Sequence, residues 1–214
     1  MLIAVLGTGV AGRALSTRLA ELGHTITMGT RDPDETRTRP DYVEIPGVQL
    51  AGFAEAAADA DVVVVATNGT ATLEVLRAIG EDRLAGKVVM DVSNPLDFSA
   101  GFPPTLSVKD SDSLGEQVQR AFPDARVVKT LNTMNASVMV HPETVGGGDH
   151  TVFVSGDDAT AKAVVTGILT EMGHRDVLDL GGIETARGVE MYLPLWLRAM
   201  SALGTPAFQI KVVR

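Results

Sequence analysis

Six residues near the start of the chain restrict its fold more than any other stretch. Gly7-Thr8-Gly9-Val10-Ala11-Gly12 follows the apolar run Met1-Leu2-Ile3-Ala4-Val5-Leu6 and leads straight into a helical pattern. A G-x-G-x-x-G motif between a strand and a helix is the fingerprint of a dinucleotide-binding βαβ unit. The spacing has a physical basis. Gly7 permits the tight turn, Gly9 lets backbone approach a pyrophosphate, and Gly12 lets the helix pack on the strand. The free N–H groups at the start of that helix then face the phosphates.

Ala11, Leu15, Leu19 and Leu22 repeat at helical spacing, and Gly23 stops the helix. His24-Thr25-Ile26-Thr27-Met28-Gly29 alternates as a second strand. Its end discriminates between nicotinamide cofactors. An NAD site places a carboxylate there for the ribose 2′-hydroxyl. Here Thr30 and Arg31 stand in that place, a hydroxyl and a guanidinium suited to a 2′-phosphate. Asp32 follows one position too late, so the pair points to NADP over NAD. Arg37 and Arg39 offer further phosphate contacts from the Pro-rich, charged stretch 31–47, which reads as a loop with at most a turn of helix.

Val48–Leu50, Asp61–Ala66, Lys87–Asp91 and Arg126–Lys129 read as strands, with helices at Phe53–Asp59, around Leu73, Leu76 and Ile79, and from Ser113 to Phe122. Glu116, three residues after Ser113, completes a capping-box pattern. Residues 97–111 read as a loop. The alternation predicts an α/β fold, a Rossmann-type doubly wound parallel sheet. Thr67-Asn68, Ser93-Asn94 and Leu131–Asn135 all follow strand ends. They converge with the glycine loop and Thr30-Arg31 on the sheet edge where such folds bind ligands.

Gly146-Gly147-Gly148 marks a hinge. It divides the chain into a dinucleotide-binding domain, residues 1-145, and a smaller α-rich C-terminal part, residues 146-214. That part is expected to hold a strand at 151–154, a helix at 158–172 and a last long helix with an apolar stripe. The last helix should kink or split at Pro194, and a terminal strand should follow over Phe208, Ile210 and Val212. Glu184, Arg187 and Glu190 on the last helix read as solvated ion pairs.

With a net charge of −9 and no basic block, the chain has no footprint for nucleic acid or anionic membranes. Its apolar runs fall short of the roughly 18 residues a membrane-spanning helix needs. It has no cysteine, which fits a cytoplasmic protein and leaves no thiolate chemistry. Tyr42 and Tyr192 have no lysine four residues on, no nucleophile or metal motif is present, and the four histidines are dispersed. No side chain stands out as catalytic and no metal site is arguable. Chemistry carried by two bound cofactors, with the protein supplying orientation, suits such a chain.

Four stretches together carry a family resemblance: Ala4-Val5-Leu6-Gly7-Thr8-Gly9, Met28-Gly29-Thr30-Arg31, Val127-Val128-Lys129-Thr130-Leu131-Asn132-Thr133, and the last leucine-bearing helix before a short terminal segment. The chain resembles the F420-dependent NADP reductases, which pass a hydride between NADP(H) and the 5-deazaflavin coenzyme F420. The resemblance implies NADP on Gly7, Thr8, Gly9, Val10, Ala11, Gly12, Thr30 and Arg31. A family lysine for the 2′-phosphate falls near Glu35, which hands that contact to Arg37. Thr67, Asn68, Asn135 and Ala136 would flank the nicotinamide. Coenzyme F420 would stack against it, with Asn94, Pro95, Leu96 and the last helix as walls and the C-terminal part closing the pocket. The resemblance also implies a homodimer. Where the family carries an apolar dipeptide with an aromatic, this chain has Thr67-Asn68-Gly69. That leaves open another acceptor (a flavin, a ferric centre, a small carbonyl or imine) or a non-catalytic NADP(H)-sensing protein.

Overall fold

Four consecutive valines form the middle of the molecule. Val62–Val65 are all buried, and as strand β4 they lie inside an eight-stranded sheet in a computed structural model describing residues 1–214. The other strands are β1 (Leu2–Leu6), β2 (Thr25–Thr30), β3 (Val48–Gly52), β5 (Val88–Asp91), β8 (Arg126–Thr130), β9 (Thr151–Ser155) and β10 (Asp176–Asp179), with a separate two-stranded ribbon of β6 (Leu96–Asp97) and β7 (Thr105–Leu106). The helices are α1 (Val10–Glu21), α2 (Pro33–Thr38), α3 (Phe53–Ala57), α4 (Thr72–Ile79), α5 (Glu81–Leu84), α6 (Leu114–Ala121), α7 (Ala136–Val140), α8 (Ala159–Met172), α9 (Ala186–Met191) and α10 (Leu193–Leu203).

The sheet runs β10-β9-β8-β5-β4-β1-β2-β3. From β3 to β8 every pairing is parallel. This is the doubly wound order, whose direction of winding switches between β1 and β4. Alternate residues of each strand serve opposite faces. Ile3, Val5, Val62 and Val64 join one core with α1, α7 and α8. Ala4, Leu6, Val63 and Val65 join the other with α3, α4 and α6. Both faces are covered, so the central strands read as continuous apolar runs.

The sheet continues past residue 146. Strand β9 runs antiparallel to β8, and β10 pairs parallel to β9. No helix is long and apolar enough to cross a membrane.

Several local expectations change. The stretch after residue 96 closes into the β6–β7 ribbon instead of remaining a loop. The last helix does break where proline demanded. A single 3₁₀ turn and α9 precede α10, and Pro194 sits in the first turn of α10, where its missing N–H costs nothing. Phe208–Val212 forms no strand. Thr151 N donates to Ile210 O at 3.0 Å, but the Ile210 N–H is taken by the Gln209 side chain at 2.9 Å, which ends the ladder. Ser113 caps α6 as expected, accepting from Glu116 N. The Glu116 carboxylate, however, accepts from the Ser113 hydroxyl and from Arg187 instead of closing a reciprocal box.

Candidate active site

The glycine loop owes its shape to two close approaches. Gly7 has φ 114°, and its N–H donates to Gly29 O at 2.9 Å, tying the loop to the end of β2. At Gly12 a Cβ would run into the Gly7 carbonyl, so only glycine lets α1 pack this close. Gly9 differs from both. It precedes α1 without capping it by a side chain, and a Cβ there would meet no atom within 4 Å. The first turn of α1 therefore opens onto free space, the geometry of an anion site at a helix start.

Around the end of β2 the polar side chains divide their duties. Thr30 is buried and its hydroxyl meets that of Thr36 at 2.8 Å, which anchors α2. Arg31 stands in solvent, 3.3 Å from the Glu74 carboxylate. Asp32 caps α2, its Oδ1 accepting from Asp34 N and Glu35 N at 2.9 and 3.0 Å. Arg37 bonds Asp34 and the Leu50 carbonyl, on the β3 side. Arg39 instead returns to the glycine loop. Its Nη1 lies 3.2 Å from Thr8 Oγ1, while Nε and Nη2 grip Asp41 at 3.2 and 2.9 Å. Arg13 of α1 supports the same corner, donating to Asp41 O at 2.9 Å. The Arg39 hydrogen bond holds the Asp41 carboxyl below the usual carboxylate range.

Beyond the glycine loop lies a crevice of about 410 Å³. Val10 and Ala11 form one wall, Ala66–Gly69 a second, Val92–Asn94 with Leu96 and Phe98 a third, and Met134–Ala136 with Met139 a fourth. Of the residues singled out by sequence, Thr67, Asn68, Asn94, Leu96, Asn135 and Ala136 meet here with Val10 and Ala11. Pro95 does not line the crevice. Its carbonyl accepts from Ser107 N at 2.8 Å and fixes the ribbon behind it. No Asp, Glu, His, Lys, Arg or Tyr faces this space.

The polar walls are held by their own neighbours. Asn68 and Asn135 turn their oxygens onto Thr70 N and Ser137 N at the helical turns they open. Asn94 donates to Asn132 O at 2.9 Å, and Asn132 donates back to Asn94 Oδ1 at 3.0 Å and to Val189 O at 3.0 Å. Thus α9 reaches the crevice walls through Asn132 and, by way of Glu190 and Lys129, through the Ser93 carbonyl, and neither α9 nor α10 supplies a wall. Phe98 projects at the rim, 53% exposed.

Behind this wall is a group that the sequence reading missed. Lys129 in β8 is fully buried, with Asp91 and Glu190 both 2.9 Å from its ammonium. Burial pushes its pKa down, but the two carboxylates outweigh that and raise it. Asp91 also accepts from Ser93 N and Oγ, and Glu190 from Leu114 N and Gly115 N at the start of α6. This corrects the reading of Glu190 as solvated: at 1% exposure it is a core residue. A signal was present. A lysine inside a strand buried on both faces needs a charged partner.

Residues 2–95 match the family described as NADP oxidoreductase, coenzyme F420-dependent. An Arthrobacter sp. FB24 protein of solved structure, assigned as an F420-dependent NADP reductase, is 56% identical, with both chains covered in full and a TM-score of 0.98. The F420-dependent NADP reductase of Methanothermobacter marburgensis is 29% identical over 205 residues, 91% of this chain and 90% of that one. The metalloreductase STEAP3 of Rattus norvegicus is 29% identical over 208 residues, and this chain spans 39% of its length.

Proposed function

The chain belongs to the family of coenzyme F420-dependent NADP oxidoreductases, and from that premise we propose that it transfers a hydride between NADP(H) and the 5-deazaflavin coenzyme F420. It is an NADP-dependent oxidoreductase, and the cofactors of its family are NADP and coenzyme F420. The observation that carries the reading is the crevice next to the open end of α1. Its walls are apolar, amide and hydroxyl, with no ionisable side chain. Such a space suits two flat rings laid against each other and offers no protein acid or base.

Held in this crevice, NADPH would supply a hydride that the deazaflavin would accept, with the accompanying proton drawn from solvent. The chain's residues hold and exclude. Gly7 to Gly12 and the α1 N–H groups take the pyrophosphate. Arg31, on the anchor made by Thr30, faces the 2′-phosphate, with Arg37 farther out. Thr67-Asn68 and Asn135-Ala136 bracket the nicotinamide. Asn94 and Leu96, backed by Pro95, bound the second ring, and residues 146-214 hold that wall in place through Val189 and Glu190. A second copy of the chain is the proposed cover for α10, where Leu195 and Leu203 stand mostly in solvent. The cysteine-free, acidic composition fits work in the cytoplasm.

The likeness to a metalloreductase favours one second reading, an acceptor that is a metal centre or a flavin. A turnover assay separates the two. NADPH and NADH are each offered with oxidised coenzyme F420, and with FMN and a ferric chelate as controls, and absorbance is followed. Deazaflavin reduction by NADPH alone is the expected result. Reduction of FMN or ferric iron without reduction of coenzyme F420 would move the acceptor. Tight NADPH binding with no turnover would move the weight to an acceptor outside this set or to a sensor.

A further inference from the structure

We propose that Arg39, held by Asp41, is the second guanidinium that selects a 2′-phosphate, in the part that the family resemblance gave to Arg37. The inference rests on the NADP reading above and names a specificity residue within it.

The adenosine ribose of a dinucleotide on this fold lies between the glycine loop and the end of the second strand. Those two loops are joined here by the Gly7 N–H on the Gly29 carbonyl at 2.9 Å. The chain that leaves β2 folds α2 back onto it through the Thr30–Thr36 hydroxyl pair. The residue after α2 is Arg39, and its Nη1 reaches the hydroxyl of Thr8 inside the glycine loop at 3.2 Å. Arg39 thus bridges the two loops that enclose the ribose. Arg37, two residues earlier, is on another side of α2, on Asp34 and Leu50 O.

The orientation of the guanidinium matters as much as its place. A guanidinium carries five N–H donors in a fixed fork. Asp41 takes the side formed by Nε and Nη2, and Thr8 takes one N–H of Nη1. The remaining N–H groups of Nη1 and Nη2 form the end-on face, and the side chain is 38% exposed. That face is the one that grips a phosphate by two parallel bonds. Asp41 is itself fixed, its backbone carbonyl accepting from Arg13. The clamp is therefore set before a ligand arrives, and a bound 2′-phosphate meets Arg31 from the end of β2 and Arg39 from the end of α2.

The test is titration of the purified full chain with NADPH, NADH and 2′,5′-ADP by calorimetry, for the wild type and for Arg39→Ala, Arg39→Lys, Arg37→Ala and Arg31→Ala. Arg39→Ala should weaken NADPH and 2′,5′-ADP by about tenfold or more and NADH by no more than about twofold, the scale of one lost charge-assisted contact. Arg39→Lys should recover part of that loss, and Arg37→Ala should leave the NADPH/NADH ratio within about twofold of wild type. An unchanged ratio in Arg39→Ala, with the ratio collapsed in Arg31→Ala, would overturn the role of Arg39 and leave the NADP reading standing. A wild type that binds NADH as tightly as NADPH would overturn both.

Discussion

Lys129 Nζ stands 2.9 Å from Glu190 Oε1, across a contact that solvent does not reach. The two residues are 61 positions apart in sequence, one in β8 and one in α9. With Asp91 they form a buried ion triad whose charges are all matched by hydrogen bonds. Such a group is expensive to break from one side, since the remaining charges stay buried without a partner. Lys129→Met should destabilise the fold by about 3–5 kcal/mol, read from chemical denaturation at pH 7. A loss below about 1 kcal/mol would mean that the carboxylates find water or protons easily.

The last two glycines of the motif should separate folding from binding. Gly12→Ala pushes a methyl group into the Gly7 carbonyl and should lower stability by about 1–3 kcal/mol, the range for overpacking. Gly9→Ala meets no protein atom and has φ −76°, which alanine adopts freely. Its melting temperature should stay near wild type while NADPH binding falls sharply. Melting curves with and without NADPH read both effects, and a Gly9→Ala protein that binds normally would remove the pyrophosphate from this loop.

His174 gives the fold a pH dependence of known sign. It is 3% exposed, and its Nε2 meets the Met139 carbonyl at 2.9 Å. Nδ1 has no partner, so a proton there would be a buried donor with no acceptor. Burial lowers its pKa to about 4 from 6.5. Between those values the unfolded chain binds the extra proton and the folded chain does not. Stability from this group is therefore complete above pH 6.5 and is lost as pH falls toward 4, on the order of 3 kcal/mol in all. Denaturation midpoints at pH 7.5 and pH 5 should differ in the wild type and differ less in His174→Asn. Equal slopes in both proteins would refute the assignment.

Asp32 offers a negative control for cofactor choice. Its carboxylate is committed to the cap of α2. Asp32→Ala should cost about 1 kcal/mol of stability through the lost cap, and NADH binding should not weaken relative to NADPH. A selective loss of NADH affinity in a titration would return Asp32 to the ribose.

How much of this was legible in the sequence depended on the range of the interaction. The glycine loop, the six parallel strands and the split at Pro194 are consequences of short-range pattern, since helical and strand periodicities and proline geometry act over a few residues. The convergence of Thr67, Asn68, Asn94, Asn135 and Ala136 on one crevice was equally readable, because strand ends in a doubly wound sheet share an edge. The burial of Glu190 was not, because its face of the helix looks as polar as any solvated one. Only a partner 61 residues away decides its fate. The direction of β9 carried no signal either, as Thr151-Val152-Phe153-Val154 alternates the same way whichever neighbour it meets. Arg37 and Arg39 could not be told apart by spacing, and the side of α2 on which each leaves settles where it goes.

The lack of an ionisable side chain around the crevice acts as a filter on acceptors. Reducing a carbonyl or imine requires a proton at the heteroatom as the hydride arrives, and this pocket has no group poised to deliver one. A ring system that takes its proton at an edge open to water needs no such help. Under the proposed transfer to a deazaflavin, selectivity would come by omission. Evolution of a new acceptor here would have to begin by placing a single titratable residue on one of these walls.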